Sequence, residues 1–173
     1  MAAAEEEVML AAAAAAADDA SSRNRMGGSL GVEGMNELTG ARARGLGSSI
    51  SFTYKSDAPF AVIGQFGVIA WPSAFYLNQA NEVPDKAPWE IFLGATLLPL
   101  TWGPVDFGFF ARLSAKRFFT TIADRAELGL AIQWQLDRTW ALRYQAGCSI
   151  ITNFLEPTLV STLALDLAFP SFI

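Results

Sequence analysis

Residues 127–150 read ELGLAIQWQLDRTWALRYQAGCSI, and the alternation of side chains in this stretch decides the fold. The first half has large apolar side chains on one parity (Leu128, Leu130, Ile132, Trp134 and Leu136) and Gly129, Ala131, Gln133 and Gln135 on the other. After residues 137–139 the pattern resumes, with Trp140, Leu142, Tyr144, Ala146, Cys148 and Ile150 on the apolar parity. Because successive side chains of a strand point to opposite faces, the stretch predicts a hairpin with one apolar and one polar face.

The polar face of this hairpin is unusual for a soluble sheet, because it carries Gly, Ala, Ser and Gln with an occasional Arg. A strand face in contact with water normally carries many Lys, Glu and Thr side chains. Small and polar residues pointing inward, with large apolar residues pointing outward, are typical of a transmembrane barrel strand. The length is also close to the roughly 9–11 residues that a tilted strand needs to cross a bilayer.

The same alternation recurs elsewhere in the chain, which indicates several similar strands. It is found at residues 45–55, 60–70, 89–98, 105–116 and 159–169, and in a weaker glycine-rich form at 27–34. With the hairpin this gives seven strands, or eight if the glycine-rich stretch is included. The connections alternate in length, which is typical of an up-and-down antiparallel barrel. The longest connection comprises residues 71–88, and residues 152–157 are predicted to form the connection to the last strand. Pro99 is expected to break pairing near the end of the strand at residues 89–98.

The composition limits the possible functions. Apolar residues make up 52% of the chain and charged residues 17%, against about 25% charged in a typical soluble domain. Residues 46–173 contain ten acids and eight bases, so no basic patch suits a nucleic acid. The chain has no histidine, which excludes Ser-His-Asp catalysis and histidine-ligated metal. Cys148 is the only cysteine, and its apolar parity is typical of a small apolar side chain rather than a reactive thiol. Together with the absence of histidine, this leads us to expect no enzyme activity, no cofactor and no metal site.

Residues 1–25 form an alanine-rich segment that differs from the rest of the chain. Its apolar run resembles the centre of a secretory signal, but Glu5, Glu6 and Glu7 stand where a signal needs positive charge. Alanine also favours helix, so a helical or disordered leader is an alternative. The predicted organisation is therefore a leader or atypical signal at 1–25 and a barrel domain at 26–173.

The charged residues within the predicted strands lie on the small, polar parity. They are Glu90, Asp106, Arg112, Lys116, Glu127, Arg143 and Asp166, with Gln133 and Gln145 on the same face and Arg125 near the rim. An Arg or Lys facing lipid near the bilayer centre costs about 2–4 kcal/mol, which an interior position avoids. Since an eight-stranded barrel has room only for side chains, we predict a structural network of ion pairs and hydrogen bonds. The alternative is that Glu90 and Asp106 act as a catalytic acid and base.

Aromatic residues lie at or near the predicted strand ends, where membrane barrels carry interfacial girdles. The predicted girdle residues are Tyr54, Trp71, Tyr76, Trp89, Trp102 and Trp140.

The last predicted strand resembles the terminal strand of small bacterial outer-membrane β-barrels, which ends in alternating apolar residues and a closing aromatic. Leu163, Leu165, Leu167 and Phe169 match that signal, although residues 170–173 follow the aromatic here. The resemblance covers residues 26–173 and rests on patterning. It implies an all-β transmembrane barrel of about eight strands, located in the bacterial outer membrane with the lipid bilayer as its partner.

Several functions are compatible with these patterns. The leading hypothesis is a structural or surface-exposed outer-membrane protein whose loops, chiefly residues 71–88, bind an external protein or surface ligand. Porin-like transport of a small solute is the second. A soluble lipocalin-like barrel would have its apolar face inward, and a helical membrane protein would use the uncharged residues 58–81 as a span.

Overall fold

In the computed structural model the chain forms a closed antiparallel barrel, described for residues 24–37, 44–56, 60–71, 89–115, 125–151 and 154–169. The strands are β1 (Asn24–Glu37), β2 (Arg44–Ser56), β3 (Ala61–Ala70), β4 (Trp89–Trp102), β5 (Val105–Ala115), β6 (Arg125–Gln135), β7 (Trp140–Ile151) and β8 (Phe154–Ala168). Each strand pairs with its neighbours in sequence, and β1 pairs with β8 to close the wall. In the described ranges, no helix has the length and apolarity to cross a bilayer.

The glycine-rich stretch is the eighth strand, so the predicted up-and-down barrel is confirmed with eight strands. As β1 it pairs with β2 from Asn24 to Asn36 and with β8 from Gly27 to Glu37. It therefore begins inside the segment predicted as a leader, because Asn24 and Arg25 already pair with the end of β2. The remainder of the predicted leader lies outside the described residues.

The predicted connection at residues 152–157 is wrong, because β7 extends to Ile151 and β8 already begins at Phe154. Pro157 suggested a break, since proline cannot donate to a strand ladder. Pairing of β8 with β1 ends at Thr158, however, so Pro157 lies on a β7–β8 ribbon with no β1 partner beside it. At such an edge a proline is tolerated.

Pro99 disturbs pairing as predicted, although β4 continues beyond it. The register of β4 against β5 shifts between Leu97 and Leu100, and pairing then resumes up to Trp102. Gly103, with a φ of 61°, and Pro104 make the tight turn into β5. A positive φ of this kind strains most residues other than glycine, which explains why position 103 is a glycine.

The two faces of the wall are distributed as the alternation predicts. On the outer face Leu128 and Leu130 are 67% and 63% exposed, whereas Gln133 and Arg143 on the inner face are 2% and 1% exposed. The inner face also carries apolar side chains that pack together (Met35, Ile63, Ile69, Trp71, Phe92, Leu98, Phe110, Ala131 and Val160). The barrel is therefore filled, with charges inside and large apolar groups outside. That arrangement contradicts the lipocalin-like alternative, and the strands contradict the helical one.

Candidate functional site in the barrel interior

Charged side chains from β1, β4, β5 and β6 meet in the half of the interior near the connections 38–43, 71–88 and 116–124. We call this half the loop end, and the half near the start of β1 and the end of β8 the terminus end. The loop-end cluster consists of Glu33, Glu90, Arg112, Arg125 and Glu127, all of them buried. It combines three carboxylates with two guanidinium groups.

Arg112 is the centre of the loop-end cluster. Its Nη1 and Nη2 donate to the two carboxylate oxygens of Glu33 at 3.0 and 2.9 Å, and its Nε donates to Glu127 at 2.6 Å. The paired contacts to Glu33 use the planar fork of arginine, which lysine cannot reproduce. Thr162 also donates to Glu33 at 2.5 Å, and the ring of Phe92 lies 5.1 Å from the Arg112 guanidinium carbon.

Arg125 extends the cluster toward the loop end. Its Nε lies 2.8 Å from Glu127 Oε1, and its Nη2 lies 2.8 Å from Glu90 Oε2. Ser114 also donates to Glu90, at 3.2 Å. Acid and base therefore alternate from Glu33 through Arg112, Glu127 and Arg125 to Glu90, which ties four strands together across the interior.

A second group of polar residues lies toward the terminus end. Arg143 Nη2 is 3.0 Å from Asp166 Oδ1, and Gln133 donates to the other oxygen of Asp166 at 3.2 Å. Gln133 in turn accepts a hydrogen bond from Lys55 Nζ at 3.3 Å. Lys55 also lies 3.9 Å from Asp106, which is only partly buried because it stands at the mouth.

The structure places most of the residues predicted for the interior network on the inner face. Glu90, Arg112, Glu127, Gln133, Arg143, Gln145 and Asp166 are buried inside, Asp106 lies at the terminus-end mouth, and Lys116 lies outside the described residues. Gln145 bonds to Thr96 at 2.8 Å, apart from the ion pairs. The structure thus brings Arg112 together with Glu127, and Arg143 and Gln133 with Asp166.

Glu90 and Asp106 are not a pair of neighbouring carboxylates. Asp106 lies opposite Thr101, eleven positions along β4 from Glu90, which corresponds to roughly 35 Å of strand. Each acid has its own base: Glu90 contacts Arg125, and Asp106 faces Lys55. The two cannot act together on one substrate as a catalytic acid and base.

Two charged members of the loop-end cluster did not follow from the sequence. Glu33 shares the inward parity of Ser29 and Gly31, but the glycine-rich stretch predicts its strand only weakly, so its charge received no role. Arg125 was predicted near the rim; it is the first residue of β6, and its side chain is buried at 3% exposure beside Glu127, which the sequence did not indicate. For both residues, the parity shared with inward-facing neighbours on the same strand was the sequence signal that the side chain points into the barrel.

Trp71 is not a girdle residue, because its side chain is 1% exposed and lies inside the barrel. Its ring is 5.3 Å from the guanidinium carbon of Arg125. A Cβ at Gly47 would come within 2.8 Å of that ring, so the glycine provides the necessary space. Ile69 points inward on β3, and Trp71 follows two residues later on the same parity. That parity was the sequence signal that Trp71 points inward. The other predicted girdle residues Tyr54, Trp89, Trp102 and Trp140 are exposed on the outer face, and Tyr76 lies outside the described residues.

A cavity of about 450 Å³ opens at the terminus end, and we call it the vestibule. It is lined by Arg25, Lys55, Gly103, Pro104, Asp106, Gln135, Asp137 and Arg138. A crevice of about 40 Å³ shares Arg25, Lys55 and Gln135 with it and reaches Thr53, Gln133 and Asp166. Among the residues placed by the structure, no group of three or more Cys, Asp or Glu could hold a metal ion.

Comparison with solved structures finds chains with a similar fold. No family model and no curated protein matches the sequence. The crystal structure of Neisserial surface protein A (NspA) is similar with a TM-score of 0.49 and 14% identity, covering 84% of this chain and 97% of that one. The barrel architecture described above rests on the pairing of this chain's own strands.

Proposed function

We propose that this protein is an integral outer-membrane β-barrel with a closed interior and a structural or surface-exposed role. The observation that carries the proposal is the distribution of side chains across the wall. Large apolar groups such as Leu130, Phe52 and Leu163 are exposed outside, while the guanidinium groups of Arg112, Arg125 and Arg143 are buried inside. A soluble protein rarely exposes contiguous apolar surface on this scale, and lipid is the medium that such a surface suits.

The height of the apolar surface supports a bilayer as the partner. The outward row of β6 runs from Ala126 to Leu136, the residue directly after the strand. This row is roughly 33 Å long at about 3.3 Å per residue. With a tilt of about 40°, this corresponds to a band of roughly 25 Å, as in known membrane barrels. Trp102, Trp134, Trp140 and Tyr54 are exposed at the terminus end of the band, where aromatic groups anchor to the membrane interface.

The connections indicate an orientation. The turns at residues 103–104 and 136–139 are short and lie at the same end as the start of β1. In outer-membrane barrels short turns face the periplasm and longer loops face the exterior. The connection at residues 71–88 would then be available outside for an external protein or surface ligand.

The filled interior favours a structural role over transport or catalysis. The loop-end cluster crosses the interior, and Trp71, Phe92 and Phe110 are buried beside it. An eight-stranded barrel generally leaves room for side chains and no aqueous channel. The buried carboxylates are also held in ion pairs, so we infer that the protein is not an enzyme.

Purified protein in a planar lipid bilayer is expected to give no discrete conductance steps, because the ion pairs and aromatic groups block the interior. The same preparation should migrate faster on a gel before heating than after, as folded membrane barrels do. That migration is the control for correct folding. Reproducible channels from a folded preparation would contradict the closed interior. Loss of the heat-dependent shift from a chain that otherwise folds would contradict the membrane barrel.

A further inference from the structure

The vestibule brings cationic side chains together from three separate parts of the chain. Arg25 lies near the start of β1, Lys55 near the end of β2, and Arg138 in the turn between β6 and β7. The same cavity includes the acids Asp106 and Asp137, so the described residues of its lining carry three positive and two negative side chains, a net charge of +1. Several donors thus converge on a concave surface, which is what recognition of an anion requires.

Both acids of the vestibule have roles within the fold. The Asp137 carboxylate accepts hydrogen bonds from the backbone N–H groups of Thr139 and Trp140 at 2.6 and 2.7 Å, which shapes the turn. Asp106 accepts a hydrogen bond from Thr101 at 2.8 Å through Oδ1, and its Oδ2 lies 3.9 Å from Lys55 Nζ. These contacts direct the carboxylates toward protein donors, so the two acids weaken the positive field of the vestibule without filling it.

Two of the cationic groups are held at the wall by identifiable contacts. Arg25 Nη1 donates to the backbone carbonyl of Arg138 at 3.0 Å, which brings the two arginines to the same side of the cavity. Lys55 Nζ donates to Gln133 Oε1 at 3.3 Å, and Gln133 is itself fixed by Asp166. A group that is positioned before binding loses less conformational entropy when the ligand arrives.

The interior behind the vestibule has the opposite sign. Among the buried residues that the structure describes there, Glu33, Glu90, Glu127 and Asp166 face Arg112, Arg125 and Arg143, a net charge of −1. Asp166 also lines the crevice at the base of the vestibule. An anion entering from the terminus end is therefore attracted at the mouth and repelled from the interior, so the vestibule retains it.

We propose that the vestibule binds an anion bearing phosphate or carboxylate groups, coordinated by Arg25, Lys55 and Arg138. Guanidinium groups make paired hydrogen bonds to both kinds of group, and lysine adds a point charge. The short turns lie at this end, so under the proposed orientation the vestibule faces the periplasm, and only that location rests on the function proposed above. Binding itself requires only that the barrel be folded.

The experiment is calorimetric titration of the full chain, folded in an uncharged detergent, with inorganic pyrophosphate and separately with citrate. Saturable binding that weakens with added salt is expected for at least one probe, and the probe that binds identifies the group. R138Q, R25Q and K55Q should each weaken binding about tenfold or more, since each removes a hydrogen bond between charged groups. D106N should strengthen binding severalfold, because it removes a negative charge from the wall.

The matched control is R44Q, which removes the same charge from the start of β2 at the opposite end of the barrel. It should leave binding unchanged. Heat-dependent gel migration identifies variants that have not folded, and these are excluded from the comparison. The proposal is overturned if neither probe binds the folded protein, or if R44Q weakens binding as much as R138Q does. A failure of this kind in a protein that still shows the gel shift leaves the membrane-barrel proposal intact.

Discussion

Replacing Arg112 with leucine is expected to lower the free energy of unfolding by about 3–5 kcal/mol, because it leaves buried charges without their partner. Arg112 contacts Glu33 through two hydrogen bonds and Glu127 through a third. Without Arg112, both carboxylates remain in the closed interior. Glu127 still has Arg125 as a partner, whereas Glu33 loses the arginine that it pairs with. The change is measured by urea unfolding of the protein in detergent micelles.

Three further variants separate charge from geometry in the Arg112 experiment. R112K keeps the positive charge but loses the fork, so its stability should lie between wild type and R112L. Adding E33Q to R112L should recover part of the loss, because one unpaired carboxylate is removed. R138L, at an exposed turn, should change stability by less than about 0.5 kcal/mol. An R112L protein as stable as wild type would show that the network does not stabilise the barrel.

Replacing Leu130 with arginine is expected to destabilise the membrane-inserted barrel by about 2–4 kcal/mol, since it places a charge against lipid near the bilayer centre. Leu130 is the middle residue of β6 and points outward. The control is L136R, at the end of the same outward row, where the cost falls to about 0–1 kcal/mol. Stability is measured by denaturant unfolding in lipid vesicles.

The comparison between these two positions distinguishes lipid from water. Leu130 and Leu136 are 63% and 50% exposed, so a barrel in water would tolerate arginine at both. A large loss at Leu130 together with a small loss at Leu136 is therefore expected only if a bilayer surrounds the wall. Equal and small effects would contradict the membrane-spanning arrangement.

The sequence predicts the faces of the strands well because the pleat of a strand has a period of two residues. In the hairpin at residues 127–150, that period places Gln133 and Arg143 inside and Leu130 outside, as the structure does. The period also holds in β1, where four glycines weaken the pattern without changing its parity. Its weakness is why Glu33 received no role.

The contacts across the interior could not be predicted in the same way. Arg112 and Glu127 face each other on adjacent strands, and their register follows from the hairpin-like order of β5 and β6. Glu33 is 79 positions away from Arg112 in sequence, and the two meet only because the barrel closes between β1 and β8. That contact depends on the stagger of all eight strands, which no local pattern encodes.

Trp71 shows a second limit of sequence patterns. A tryptophan at a strand end predicts an outward-facing interfacial anchor by position, and Trp102 is exposed on the outer face. Trp71 continues the inward parity of β3 and packs against Arg125. Its ring fits inside because Gly47 on the neighbouring strand β2 leaves space for it. The register between β2 and β3 places Gly47 beside Trp71, and a local sequence pattern does not encode that register.

The central claim is that the outer face of the wall contacts lipid, and spin labelling along β6 tests it most directly. Single cysteines replace Leu128, Leu130, Ile132 and Leu136 in a C148S background, because Cys148 is the only native cysteine. In vesicles, the ratio of oxygen to nickel-complex accessibility should be highest at positions 130 and 132 and fall toward position 136. High nickel accessibility at position 130, equal to that at 136, would show that this face is in water and would contradict the account.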